Sequence, residues 1–335
     1  MKKQYVLGVD GGNTKTHYFL YDTAGNYVDC LCAGTCSHEP LPDSFDGTRR
    51  EIGNRTAELF TRNGITSKDV AFAAFGLAGA DFEWQKAKLS AVVESLGFSS
   101  YVLDNDGFLA LKAGSKSGVG IGSINGTGTV TVGVNEKGER MQVGGIGEIS
   151  GDKAGAVYIA TRGVGAIYDS LYRMGKNTLL KDLLFSKFSI ADDRDFAYAA
   201  TKILNSKEGI YKVNLLMEEA ETEGDEAVVS ILSDIGKGLA SSVAGCIHKL
   251  HFTDTVEVVL AGSVWVKSKF ESMRKAFEEL LSSKCKISFI IRYLKQPPAI
   301  GAVIWALEEY KRKNNSTDSL SKESVLRDKK LLSVL

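Results

Sequence analysis

The chain has 335 residues, 44% of them apolar and 24% charged, an ordinary globular composition with enough length for two cores. Its 41 Lys and Arg balance 41 Asp and Glu, which removes the electrostatic basis for a nucleic-acid or membrane-surface partner. No apolar run approaches the roughly 20 residues of a membrane span, and five scattered cysteines make no disulfide framework, so a reducing, cytoplasmic setting is expected.

The stretch Tyr5–Val9 follows Lys2 and Lys3 but stops at Asp10, which makes it a strand and not a signal peptide. Strands are predicted over 5–10, 16–21 and 27–32, with Asp22–Asn26 as a turn, followed by a helix over about 46–63 that ends at Gly64. A buried strand over 70–75, a helix over 82–96, a strand over 101–104 and a helix over 107–114 complete a βββαβαβα order. The same order begins again at Val119. Strands over 120–124, 129–134 and 140–143 precede a helix from about 152, and a strand over 256–260, a helix over 266–281, a strand over 286–291 and a helix over 298–313 close it. About four helices are inserted in the second copy between roughly 175 and 251, where Val228, Ile231, Leu232, Ile235 and Leu239 recur at helical spacing. The sequence therefore predicts an α/β protein of two similar lobes, 1–117 and 118–313. A polar linker and an amphipathic helix at about 320–334 follow, and that helix is expected to pack back on a lobe.

Each copy carries a glycine loop between its first two strands: Asp10-Gly11-Gly12-Asn13-Thr14-Lys15-Thr16 in the first, Asn125-Gly126-Thr127-Gly128-Thr129 in the second. A tight hairpin alone would want such glycines. Two loops in equivalent positions, one led by an acid, would instead clamp a polyphosphate with free N–H groups and Thr hydroxyls. Asp10 would then hold, through water, a Mg²⁺ bridging the phosphate oxygens. No GxxxxGK[ST] run occurs, so this is not a P-loop. The cluster Gly144-Gly145-Ile146-Gly147-Glu148-Ile149-Ser150-Gly151-Asp152 opens a helix, with Asp152 either its N-cap or a group facing the phosphates. At Ala261-Gly262-Ser263 a buried strand breaks into a helix, the end of a strand at which α/β sheets receive ligands. Asp104, Asn105 and Asp106 end another strand. One of these acids is expected to cap the helix, and Asp106 is the candidate base for a hydroxyl nucleophile. His17 reads as a surface strand residue, His248 and His251 as solvated, and Cys30, Cys32 and Cys36 lack metal-ligand partners.

Together, DGGNTKT, NGTGT, the glycine cluster ending in Asp152, the AGS break and Pro297–Ala302 resemble the actin, sugar-kinase and heat-shock ATPase superfamily over about 5–310. Within it the chain is similar to the N-acetylglucosamine kinase and BadF/BadG/BcrA/BcrD-type ATPase family. The resemblance implies two ribonuclease-H-like lobes with an interlobe nucleotide cleft, and an ATP- and Mg²⁺-dependent kinase for an amino sugar, with no nucleic acid or membrane and with room for a homodimer. It implies that Asp10–Lys15 and Gly126–Thr129 hold phosphates, that Gly262 and Ser263 hold adenosine, and that Gly236 is the helix glycine along the nucleotide. Asp106 would be the catalytic base. His38, Glu39, Asp81, Gly145, Ile146, Gly147, Glu148 and Asp152 would join Asp106 around the sugar. The sugar side departs from the family pattern: His38 stands for an Asn, Ile146 for a Trp, Ala78 for a Ser, and Gly151-Asp152-Lys153-Ala154-Gly155 for GDEGS. An ATPase that activates a partner enzyme, and a nucleotide-dependent sugar sensor without turnover, are the alternatives.

Overall fold

The structure is a computed structural model that describes residues 4–315 and Val325. The chain divides into two units: residues up to Gly122 with those from Leu294 onward, and Ser123–Tyr293.

In the first unit, β1 (Tyr5–Gly11), β2 (Lys15–Asp22) and β3 (Tyr27–Gly34) precede α1 (Ser44–Arg62), β4 (Val70–Leu77), α2 (Glu83–Ser95), β5 (Tyr101–Asp104) and α3 (Gly107–Gly114). The sheet order is β3-β2-β1-β4-β5, antiparallel across β1–β2–β3 and parallel across β1–β4–β5. Alternate residues feed two cores, because successive strand side chains point to opposite faces. Leu7, Val9, Tyr18 and Phe75 meet Ile52 and Leu59 of α1 and Leu89 and Val93 of α2. Val6, Phe19, Tyr21 and Phe72 form the other core with Leu109 of α3.

The second unit repeats the pattern. β6 (Gly120–Asn125), β7 (Thr129–Val134) and β8 (Arg140–Gly144) lead to α4 (Ala156–Tyr172), then α5 (Leu179–Phe188), α6 (Phe196–Leu204), α7 (Lys207–Thr222) and α8 (Glu226–Lys249). β9 (Val256–Ala261), α9 (Ser263–Lys267), α10 (Glu271–Lys284) and β10 (Phe289–Tyr293) follow. The sheet order β10-β9-β6-β7-β8 reproduces that of the first sheet.

The last helix, α11 (Ala299–Lys313), departs from the expected 118–313 lobe: it belongs with the first unit. Its buried residues Ala299–Leu307 complete the core built on Val6 and Phe19. Gly301 makes this fit tight, since a Cβ there would land on the Leu109 carbonyl of α3. The expected helix at 320–334 lies outside the described residues apart from Val325, which is helical and buried in the same core.

Three boundaries move. The helix expected from 152 starts at Ala156, β10 begins at Phe289, and the helix expected over 266–281 is split into α9 and α10. The split has a long-range cause. Arg274 Nη2 donates to the Trp265 carbonyl at the end of α9, while Glu218 and Glu221 of α7 accept from the N–H groups of Lys269 and Ser272, at 2.9, 3.0 and 2.6 Å. Those bonds supply end groups that a continuous helix would not need.

Contrary to the sequence expectation, α8 is a 24-residue helix long and apolar enough to cross a membrane by length and composition. It carries the Asp234–Lys237 pair on an exposed face and buries Leu232, Ile235, Leu239 and Val243 within the second unit, as a core helix does.

Candidate active site

The carboxyl ends of β1, β4 and β5 carry the acids of the first unit. Asp10 lies opposite Gly76, and Gly76 opposite Asp104, so the parallel register aligns Asp10 with the Asp104–Asp106 segment. The loop after Asp10 closes by one bond, Gly12 N–H to the Lys15 carbonyl at 3.0 Å, and leaves Asn13, Thr14 and Lys15 exposed. Thr35 Oγ1 donates to the Gly12 carbonyl at 2.9 Å, and Asn13 Nδ2 to Glu39 Oε2 at 3.1 Å, tying this loop to the one after β3. His17 is not the surface residue expected: it is buried beside Phe19, with Nδ1 3.9 Å from Asp10 Oδ2, because antiparallel pairing sets it opposite Asp10.

The three residues after β5 divide their tasks. Asp104 is buried and paired to Lys86 Nζ at 2.9 Å. Capping falls to the amide of Asn105 and to neither acid: Gly107 N–H donates to Asn105 Oδ1 at 2.8 Å, and Asn105 Nδ2 donates to Asp81 Oδ1 at 2.9 Å. Asp106 occupies the N-cap position of α3 without a side-chain capping bond. Its Oδ2 would stand 4.0 Å from a Cβ at Gly12, so it borders the first glycine loop. Burial, then the charges of Asp10 and Asp81, push its carboxyl up to about 7, opposed in part by the backbone N–H of Gly107. Such a carboxyl can accept a proton near neutral pH.

The loops after β3 and β4 bring His38, Glu39 and Asp81 into this unit's cluster. His38 is only 7% exposed and stacks on Phe45 with 4.2 Å between ring centroids. Gln85 holds these loops together: its Oε1 accepts from the N–H groups of Asp81 and Phe82 at 3.2 and 2.9 Å, and its Nε2 lies 3.4 Å from His38 Nε2. Sequence reading passed over Gln85. Its spacing three residues after Phe82, the capping-box offset, was the available signal.

In the second unit, the glycine loop is joined to the start of α4. Asn125 Oδ1 accepts from Gly155 N–H and the Gly126 carbonyl from Ala156 N–H, both at 2.8 Å. Thr129 Oγ1 donates to the Ile124 carbonyl at 2.9 Å, while Thr127 and Gly128 stay exposed. Gly262, ahead of Ser263 and α9, abuts this loop: φ is +95°, and a Cβ would come within 2.8 Å of Gly126 N. Asp152 does not cap α4, whose N-cap is Gly155. Its carboxylate instead accepts from the N–H groups of Gly145 and Gly147 and from Ser150 Oγ at 3.0, 2.7 and 2.8 Å, fixing the loop that exposes Ile146. Glu148 lies in the short turn Gly147–Ser150 of that loop. Gly236 is buried, and a Cβ there would meet the Met273 carbonyl of α10; its packing role is between two helices.

The donor chemistry is compatible with Mg²⁺. Among the described residues no three His, Cys, Asp or Glu form a protein cage. Mg²⁺ is usually held by one or two carboxylates, with water and phosphate oxygens completing the shell. Asp10 beside Asp106 supplies hard oxygen donors, and the charge crowding that raises Asp106 is what a cation would offset.

Comparison with known proteins gives the family of the chain. The chain is 26% identical over 318 residues to an N-acetylmuramic acid/N-acetylglucosamine kinase of Clostridium acetobutylicum, covering 91% of this chain and 99% of the relative. It is 26% identical over 259 residues to an N-acetyl-D-glucosamine kinase of Dictyostelium discoideum, covering 75% and 81%. A structure from Chromobacterium violaceum, described as a candidate N-acetylglucosamine kinase, shares the fold with a TM-score of 0.66 at 18% identity, covering 91% of this chain and 99% of its own. The profile of the BadF/BadG/BcrA/BcrD ATPase family matches residues 7–306, and the chain belongs to that family.

Proposed function

We propose that the protein is an ATP-dependent kinase that phosphorylates a hydroxyl of N-acetylglucosamine or a related amino sugar. The observation that carries this reading is Asp106, uncapped beside the first glycine loop and raised to about 7. The relatives, kinases named for N-acetylglucosamine and, in one case, also for N-acetylmuramic acid, support the acceptor class.

In this reading Asp106 accepts the proton of the sugar hydroxyl as its oxygen forms a bond to the γ-phosphorus, and the bond to the β-phosphate oxygen breaks to release ADP. Asp81, held by Asn105, and Glu39, held by Asn13, orient sugar hydroxyls. Asp10–Lys15 and Gly126–Thr129 bind the phosphates, while Gly262 and Ser263 receive adenosine. Asp152 keeps the Gly145–Gly147 backbone in place on the sugar side. Asp10 would hold Mg²⁺ through water, and the ion, when bound, neutralises charge on the β- and γ-phosphates.

Coupled ADP release with Mg·ATP against N-acetylglucosamine, N-acetylmannosamine, glucosamine, N-acetylmuramic acid and glucose tests the reading. Stimulation by an N-acetylated sugar is expected; a rate that no sugar changes would refute it. A second expectation concerns pH. Because the raised carboxyl is protonated, and so inactive as a base, below its pKa of about 7, kcat/KM for the sugar should fall about tenfold per pH unit on the acid side. A profile flat from pH 5 to about 8 would remove Asp106 from that role.

A further inference from the structure

The first glycine loop is anchored by a side chain that lies outside it. Thr35 Oγ1, in the loop after β3, accepts from Ser37 N–H at 3.0 Å and donates to the Gly12 carbonyl at 2.9 Å, so its single proton is committed to Gly12. Gly12 N–H donates to the Lys15 carbonyl, but among the described residues Lys15 N–H does not return the bond that a closed two-residue turn would make. Thr35 takes that place at the Gly12 carbonyl. The Gly12–Asn13 peptide is trans and planar, so its C=O and N–H point in opposite directions. Holding the carbonyl toward Thr35 turns the Asn13 N–H away from the β3 loop. Asn13 is exposed, and among the described residues its N–H makes no bond.

The anchor belongs to a closed circuit. Ser37 Oγ donates to the Ala78 carbonyl at 3.3 Å, and Ala78 N–H donates to the Gly11 carbonyl at 2.7 Å. Cys36, between Thr35 and Ser37, packs its sulfur 2.6 Å from where a Cβ on Gly11 would stand. The loops after β1, β3 and β4 therefore meet at Gly11 and Gly12. His38 and Glu39 follow Ser37, and Asp81 follows Ala78, so the acceptor residues and the free Asn13 N–H are set relative to one another. Within this circuit the Thr35 hydroxyl is the side-chain group that fixes the direction of the Gly12–Asn13 peptide.

Resting on the kinase reading above, we infer that Thr35 is a positioning residue for the nucleotide: its hydroxyl aims the Asn13 N–H at a phosphate oxygen without touching the nucleotide itself. Without that hydroxyl the Gly12 carbonyl turns to Lys15 N–H or to water, a rotation that a residue with no Cβ allows, and the Asn13 N–H leaves the anion.

The test is calorimetric titration of the full chain with Mg·ATP and, separately, with adenosine, no sugar being present, for the wild type, Thr35→Val and Thr35→Ser. Thr35→Val keeps the side chain's shape and removes its hydroxyl. It should weaken Mg·ATP binding about 3- to 10-fold, the net worth of one hydrogen bond, and leave adenosine within about twofold. Thr35→Ser should bind Mg·ATP as the wild type does. A general loosening of the fold would weaken both ligands, so confinement of the loss to the ligand with phosphates separates positioning from support. No Mg·ATP binding by the wild type, unchanged Mg·ATP affinity in Thr35→Val, an equal loss for adenosine, or failure of Thr35→Ser to restore binding would overturn the inference. The two readings fail separately. A selective loss in Thr35→Val with no sugar-stimulated ADP release by the wild type would refute the kinase and keep the positioning role, whereas sugar-stimulated ADP release with full Mg·ATP affinity in Thr35→Val would keep the kinase and refute that role.

Discussion

Asp106→Asn is expected to lower kcat by about 10²- to 10⁴-fold, the usual worth of a positioned general base, while leaving ATP affinity within about threefold. The separation follows from where the residue stands. Asp106 makes no side-chain capping bond to α3, whose first-turn Gly107 N–H donates to Asn105, so the substitution removes a proton acceptor and leaves the cap in place. The half-buried carboxyl also carries an electrostatic burden from Asp10 and Asp81, and a neutral amide relieves it. The variant should therefore be at least as stable as the wild type, and its residual rate should lose the acid limb near pH 7. Thermal unfolding and the pH profile of the residual activity check both points. A loss of kcat accompanied by a lowered Tm would mark Asp106 as a structural residue instead.

Gly262→Ala is expected to weaken nucleotide binding about tenfold or more, with sugar affinity in the absence of nucleotide nearly unchanged. Two costs combine. The backbone sits at φ +95°, where an L side chain is strained by about 1–3 kcal/mol. A Cβ would also press on Asn125 and Gly126, the residues that join the second glycine loop to the start of α4. Relief of that contact displaces the loop, and with it the exposed Thr127 and Gly128 that the phosphates would meet. Titration with ATP and, separately, with sugar reads the two effects apart.

Most of the fold was legible because its punctuation is local. Gly12, Gly25 and Gly64 stand at the turns and stops that the pattern assigned, and the βββαβαβα order read twice from the sequence matches two sheets of the same strand order. What escaped depends on partners far along the chain. The break between α9 and α10 is set by glutamates of α7, 51 residues away in the chain, with Arg274 of α10 joining them. α11 follows the second repeat in sequence yet fills the first unit's core, a matter of which strand face it covers and not of its own periodicity.

The site divides the same way. Asp10, the two glycine loops, Asp106 and Gly262 announce themselves by residue type at strand ends. His17 did not reveal its burial, because it is a polar residue near the start of the strand, and only the packing that covers both faces of β2 buries it. Gln85 sits in unremarkable helical surroundings, and only the fold brings it to His38, as it brings Asn105 to Asp81. Asp152 was legible as important but not in its task, which is to gather the N–H groups of Gly145 and Gly147.

The most direct measurement follows the γ-phosphoryl group itself: ATP labelled at the γ-phosphate, incubated with Mg²⁺, the protein and N-acetylglucosamine or N-acetylmuramic acid. The account predicts label in a sugar phosphate, in stoichiometric amount with the ADP formed and lost in Asp106→Asn. Label recovered only as inorganic phosphate, whatever the sugar, would contradict it.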